Sequence, residues 1–420
     1  MTTQPTFREA LTVWVRIGLL SFGGPAAQIA LMHREVVEEK GWLSEKQFLN
    51  ALSFCMLLPG PEAMQLATFS GWRLHGFIGG LAAGLLFVLP GAAVVIALAA
   101  FYVTFGQAPL AEALFLGVKA AVVIIVIEAL LKVSKRALKR WDHWLLAGVA
   151  FIAIFFLALP FPLIVLAAAI YGFCRGGEQT DFAVAPTVSL MQTVRTIVLW
   201  LIIWATPVIL VWALGGAPIL MDMATFFSQL AVVTFGGAYA VLAYMAQDVV
   251  QAFGWLTTGE MMDGLGLAET TPGPLILVTE FVGFLAGYGQ GGFPLAFAAA
   301  LLTLWVTFAP CFLWIFAGAP YIDWLSAQPR LSGALSAITA AVVGVILNLS
   351  LWFALHVFFS EVTAETNGPL TLWTPTLATL DWRIIALTGL SGVMLLTLKR
   401  GVLQTLAVAA LAGLALSSFI

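Results

Sequence analysis

Five apolar runs, residues 77–103, 110–133, 193–215, 293–317 and 330–358, each exceed the roughly 20 residues that carry a helix across a bilayer. A transmembrane barrel is built instead from short alternating segments, so the fold class is an all-α, polytopic membrane bundle. Composition agrees. Of 420 residues, 61% are hydrophobic and only 9% charged, against roughly 25% charged in an average soluble domain. Shorter apolar stretches at 144–159, 161–174, 383–397 and 402–418 read as thin spans or re-entrant hairpins. No small-residue cleavage site follows Arg8 and Arg16, so no removable signal peptide is expected.

Two further regions, 8–38 and 44–75, have helical periodicity but break near their middles, at Ser21-Phe22-Gly23-Gly24-Pro25 and at Pro59-Gly60-Pro61. Proline removes a backbone donor and clashes with the preceding turn, which ends a helix. Ser44 with Gln47 fits a capping box opening the second region. Both breaks recur. A shift of 213 positions lays Thr234-Phe235-Gly236-Gly237 on Ser21 to Gly24, Gly254-Trp255-Leu256 on Gly41-Trp42-Leu43, and Pro272-Gly273-Pro274 on Pro59-Gly60-Pro61. About 15 of the 40 positions from 22 to 61 are identical under that shift. A slightly larger shift pairs Ala120-Ala121-Val122-Val123 with Ala340-Ala341-Val342-Val343. The chain therefore divides into a first repeat, 1–175, a linker with one extra helix, 176–221, and a second repeat, 222–420.

Lys132, Lys135, Arg136, Lys139 and Arg140 follow the span 110–133 and mark a cytoplasmic end. Counting the two broken regions as crossings, four spans back places the amino terminus inside. The single extra helix then turns the second repeat over, which gives an inverted repeat.

In lipid, a broken helix is tolerated only where it is buried or lines a cavity. Half-helix amino termini expose unpaired N–H groups and a partial positive charge, which suit an anion near the midplane. Small residues packing helices closely are the structural alternative. The candidate binding residues are Ser21, Gly23, Gly24, Pro25, Pro59, Gly60, Pro61, Thr234, Gly236, Gly237, Thr271, Pro272, Gly273 and Pro274, with Arg16 and Lys119 as cations. Charges at such depth mark a pathway or a buried pair; for Lys119 the pair would be Glu112 or Glu128, and for Arg16 the alternative is snorkelling to the headgroups. Glu62, Glu112 and Glu269 are candidates for handling protons, although Glu62 also suits a helix amino terminus. The second repeat carries Gln229, Thr339, Asn348 and Leu275 in place of Arg16, Lys119, Glu128 and Glu62, and gains Glu269, Thr270, Thr271 and Glu280. No phosphate-binding loop, His-x-x-x-His pair or spaced cysteines occur, so no catalytic residues, metal, cofactor or nucleic-acid partner is expected.

At this point the sequence resembles a known family. Arg16-Ile17-Gly18-Leu19-Leu20-Ser21-Phe22-Gly23-Gly24-Pro25 is similar to the opening motif of the chromate ion transporters. Trp42-Leu43, then Leu58-Pro59-Gly60-Pro61-Glu62-Ala63, Gln65-Leu66-Ala67 and Gly71-Trp72-Arg73-Leu74-His75-Gly76, resembles the second signature, and Gly117-Val118-Lys119-Ala120-Ala121-Val122 the third. The second repeat departs by lacking a proline after Gly237. The resemblance to the long, two-repeat members implies export of chromate from the cytoplasm across the bacterial inner membrane. It further implies the proton gradient as driving force, chromate resistance as outcome, and sulfate as a structural analogue. Exchange or uptake of sulfate or another oxyanion, a passive anion channel, and a homodimer stay open from the residues alone.

Overall fold

In a computed structural model of the chain, the described residues are 5–417 except 107, 177–188, 236–237, 323, 325–327 and 369. Gly236 and Gly237 therefore lie outside the described residues. Among the described residues, five helices are long and apolar enough to cross a membrane, Glu62–Phe105, Pro109–Ala137, Leu190–Ala213, Leu275–Tyr321 and Pro329–Phe358, and they cover the five runs read from the sequence, except that the third ends at Ala213. The protein is a multi-pass helical membrane protein.

The chain falls into two compact units, each built from segments of both repeats. The first contains Met1–Ala100, Glu178–Ala238 and Thr271–Ser332. Here α1 (Phe7–Leu20) stops at Ser21, and α2 (Gly24–His33) starts from the left-handed Gly23 and ends in a π-helical stretch, Arg34–Glu39. Were these one kinked crossing, residues 16 and 35 would lie about 28 Å apart along the axis. Instead Arg16 Nε is 3.3 Å from Glu35 Oε1, and Lys40 Nζ donates to Glu9 Oε1 at 3.1 Å. Region 8–38 is thus a hairpin whose ends share one face, which corrects its reading as a crossing. Region 44–75 needs the same correction. It opens with α3 (Glu45–Cys55), capped by the expected Ser44–Gln47 box, and returns after Pro59-Gly60-Pro61 as the first arm of α4 (Glu62–Phe105). Phe54 and Phe69, fifteen residues apart, meet with their ring centroids 6.2 Å apart, and the His75 ring reaches Pro5 O at 2.9 Å. Replacing two crossings by two hairpins leaves the parity of the count unchanged.

The turn that the crossing count places between region 44–75 and the run starting at 77 is a tight fold-back. Helix α4 reverses at His75–Gly76, where Gly76 has φ +62°, and Gly71 packs backbone to backbone on Gly79. The second repeat does the same in α12 (Val278–Gly318), which reverses at Gly291–Gly292 and packs Gly283 on Thr303. Phe316, near the end of α12, packs against Phe77 with ring centroids 4.6 Å apart, beside the first reversal. The second reversal at Gly292 lies 24 residues earlier on that arm, about 36 Å along the helix. The two reversals therefore sit at opposite ends of the packed arms, as an inverted repeat requires. The unit also holds α8 (Leu190–Ala213) and α9 (Pro218–Val233); Trp204 Nε1 of α8 donates to Val306 O of α12.

The second unit contains Phe101–Gly177, Tyr239–Thr270 and Gly333–Ile420. Its elements are α5 (Pro109–Ala137), α6 (Trp141–Phe155), α7 (Phe161–Arg175), α10 (Ala238–Gln247), α11 (Thr258–Thr270), α13 (Pro329–Phe358), α14 (Trp382–Gly392) and α15 (Val402–Ser417). Helix α5 packs on α11, α14 and α15, with Gly117 against the Ala409 backbone. Helix α13 lies on α6 through Gly344 and Ala147, and on α7 through Gly333 and Gly172. An antiparallel hairpin, β1 (Val362–Asn367) and β2 (Leu370–Pro375), joins α13 to α14.

Candidate functional site

The two breaks of each repeat meet the breaks of the other. Gly60 N–H donates to Thr234 O at 2.8 Å, and Gly273 N–H donates to Ser21 O at 2.9 Å. The proline-flanked tip of each repeat thus satisfies the carbonyl left open where the other repeat's first helix stops. Gly60 and Gly273 reach these bonds with φ +116° and +90°, values that a Cβ disfavours. The Ser21 and Thr234 hydroxyls are both buried and both donate back, at 2.5 Å, to Ile17 O and Leu230 O. Their protons are therefore committed within the helices. Gln28 Nε2 donates to Gly273 O at 2.6 Å and to Ser21 O at 3.3 Å, and Gln65 Nε2 donates to Pro59 O at 2.7 Å. Helix α2 begins at Gly24-Pro25 with no side-chain cap, leaving first-turn N–H groups to a ligand.

Of the other residues expected here, Pro61 leads into Glu62, which is half-buried in the first turn of α4, and Thr271 is buried before Pro272-Gly273-Pro274. Pro272 O abuts Gly91 of α4, where no side chain could fit. Arg16 is half exposed on α1, and its partner Glu35 is fully buried. That pair is held by distance, without an aligned hydrogen bond. The second repeat holds a further buried acid outside the residues expected at the site. Glu280, near the start of α12, is completely buried, and neither carboxylate oxygen has a hydrogen-bond partner among the described residues.

Lys119 belongs to the second unit, and its partner is neither Glu112 nor Glu128. Lys119 Nζ lies 3.3 Å from Asp263 Oδ2 of α11, to which Tyr102 OH also donates at 2.8 Å. Glu112 is exposed in the first turn of α5, and Glu128 pairs with Lys132 at 2.7 Å. Seven residues along a helix is two turns, about 10 Å, too far for Glu112 to hold the ammonium. Asp263 stands at the position of Asn50 in the first repeat, a change from amide to acid that the repeat comparison could have flagged. Glu269 is buried and accepts from Tyr239 OH at 2.9 Å. No cluster of three metal-ligating side chains occurs among the described residues.

Comparison with known proteins agrees with the duplicated architecture. The family model described as chromate transporter matches twice, over residues 8–173 and 221–415. The chain is 32% identical over 378 residues to a chromate transport protein of Pseudomonas aeruginosa, covering 87% of this chain and 84% of that one. It is 30% identical over 351 residues to a probable chromate transport protein of Synechococcus elongatus, covering 81% and 83%. A chromate transport protein of Cupriavidus metallidurans matches at 31% over 356 residues, covering 82% of each. No solved structure matches. A doubled family match over most of the chain, on a scaffold of paired broken helices, places the protein in the chromate transporter family.

Proposed function

We propose that this protein is a secondary transporter exporting chromate from the cytoplasm across the bacterial inner membrane, energised by the proton gradient and conferring chromate resistance. The observation that carries the reading is the full-length similarity to proteins named for chromate transport. The geometry supports it. Chromate is a tetrahedral dianion, and the crossed tips turn uncapped helix backbone, rather than hydroxyls, toward a ligand. The first repeat spans 1–175 and the second 222–420, and the amino terminus is cytoplasmic because the cluster from Lys132 to Arg140 follows an even number of crossings.

Radiolabelled chromate flux into proteoliposomes, under imposed pH and electrical gradients and with sulfate as competitor, tests the proposal. Gradient-dependent accumulation of chromate is expected. Flux that merely equilibrates chromate makes the protein a channel. Flux of sulfate with chromate excluded replaces the substrate. Absence of any oxyanion flux refutes the reading.

A further inference from the structure

In the second unit, Asp263 sits 3% exposed within α11. Its Oδ2 receives the Tyr102 hydroxyl at 2.8 Å and faces Lys119 Nζ at 3.3 Å, while Oδ1 has no hydrogen-bond partner among the described residues. Lys119 keeps 28% of its side chain exposed. Gly259, one turn before Asp263, leaves the ammonium uncovered, for a Cβ there would come within 3.4 Å of Lys119 Nζ. The ion pair is therefore closed on its acidic side and open on its basic side. The other charged groups that act here are Glu260 from α11 itself and Glu112 from α5, the latter through Tyr102. Helix α15, which also packs on α11, contributes no ionisable side chain.

A dianion arriving at Lys119 meets an ionised carboxylate already holding the same ammonium. Two anions cannot share one cation at close range in a poorly solvated site unless one charge is removed. We propose that Asp263 is a proton-carrying positioning residue, which clamps Lys119 while ionised and, once protonated, yields the ammonium to an oxyanion. The neutral acid keeps its Tyr102 contact, so Asp263 stays in place through the exchange. The proton comes from water with the anion and returns to water when the anion leaves and Lys119 closes on Asp263 again. No bond to the anion forms and no redox change occurs. Proton and dianion are then bound together, one net negative charge moves outward per cycle, and the electrical part of the gradient drives export.

This inference rests on the transport reading, and its test separates the two. Sulfate, which stays a dianion throughout, is titrated into the purified full-length protein by calorimetry from pH 8 to pH 5, with chromate, which itself takes up a proton in this range, measured at pH 8 alone, for wild type, Asp263→Asn and Tyr102→Phe. Binding linked to one proton tightens about tenfold for each pH unit in the range where the linked group titrates. Wild type is expected to show that slope. Asp263→Asn is expected to bind with a flat profile at the wild-type low-pH affinity. Tyr102→Phe, which keeps the ion pair and guards against a folding defect in the first variant, is expected to move the midpoint without flattening the slope. A flat wild-type profile, or a wild-type slope in Asp263→Asn, overturns the inference and leaves the transporter standing. Wild-type protein that binds neither anion refutes both.

Discussion

At the crossed tips the first repeat places Gln28 and Gln65 where the second has Val241 and Val278, and both amides are spent on tip carbonyls. Elsewhere the exchange runs the other way. Asn50, Met56 and Ala67 of the first repeat become Asp263, Glu269 and Glu280 of the second, and all three acids are buried. Even the two short apolar helices α6 and α14 open on mirrored pairs, Arg140-Trp141-Asp142 and Asp381-Trp382-Arg383, each closed by a salt bridge. Duplication has conserved the backbone device, a glycine N–H crossing to the partner repeat's broken helix. Side-chain chemistry has diverged at these positions, with packing amides gained at two of them in the first copy and buried acids at three of them in the second. A buried acid costs stability unless it is paired or protonated. Three of them in one repeat point to a division of labour within the duplicated scaffold.

The largest expected effect is all-or-none and tests whether the copies are inverted. Lys40→Cys and Ala252→Cys, in a background without Cys55, Cys174 and Cys311, should react with an impermeant thiol reagent from opposite membrane faces. Reaction from one face makes the repeats parallel and removes the basis for comparing their tips.

The next effect concerns a charge pair that the second repeat has dismantled, with Gln229 in place of Arg16 and Asp248 in place of Glu35. Arg16→Gln strands a fully buried Glu35. Breaking a buried pair costs roughly 3–5 kcal/mol; because Arg16 is half exposed, about 2–3 kcal/mol is expected here, after discounting for solvent screening. Chemical denaturation in detergent reads this loss, and Arg16→Gln with Glu35→Gln should recover most of it. If chromate transport recovers together with stability, Arg16 is a structural partner of Glu35. If stability returns and transport does not, the guanidinium meets the anion.

The sequence shows where the backbone breaks but not how it bends. Ser21 to Pro25 and Pro59 to Pro61 read as helix interruptions because proline and paired glycines act locally. Whether the next helix continues or folds back is decided by partners such as Glu35 for Arg16 and Phe69 for Phe54, and that information is not local. The reversals at His75–Gly76 and Gly291–Gly292 fall just before the apolar runs that start at 77 and 293, where Arg73, His75 and Gln290 interrupt the hydrophobicity, but how tightly the chain folds back there is set by the close packing of Gly71 on Gly79 and of Gly283 on Thr303. The partner of Lys119 is 144 positions away in sequence, whereas helix spacing reaches only acids on its own helix, Glu112 and Glu128. The β-hairpin was in principle visible. Gly368, at φ +62° directly after the last paired residue Asn367, sits between segments rich in threonine and alternating apolar residues and is a turn signal. Gly24, Gly60 and Gly273 belong to the legible part of the candidate site, since their role is a backbone requirement.

The smallest effect sharpens the claim that the backbone device is what the copies share. Gly41 and Gly60 both have positive φ, +59° and +116°, but only Gly60 is enclosed. A Cβ at Gly41 meets nothing within 4 Å. At Gly60 it comes within 2.9 Å of Gln65 Nε2 and 3.0 Å of Cys311 Sγ, and at Gly273 within 2.9 Å of Leu277 Cδ1. The value at Gly41 is left-handed helical, which an alanine adopts at a cost of about 1 kcal/mol. The values at Gly60 and Gly273 lie further from any conformation an alanine prefers, and strain of that kind costs about 1–3 kcal/mol. Gly41→Ala should therefore lower stability least, and Gly60→Ala and Gly273→Ala should lower it more and by similar amounts. Transport carries the finer distinction. If the tips only brace the scaffold, chromate flux per folded molecule stays at the wild-type level in both tip variants. If the tip backbone contacts the anion, flux falls in the variants that still fold, as it should for Gly24→Ala at the start of α2. Unequal stability losses at Gly60 and Gly273 would mean that the two enclosures, Gln65 with Cys311 at one and Leu277 at the other, do not yield equally to a Cβ.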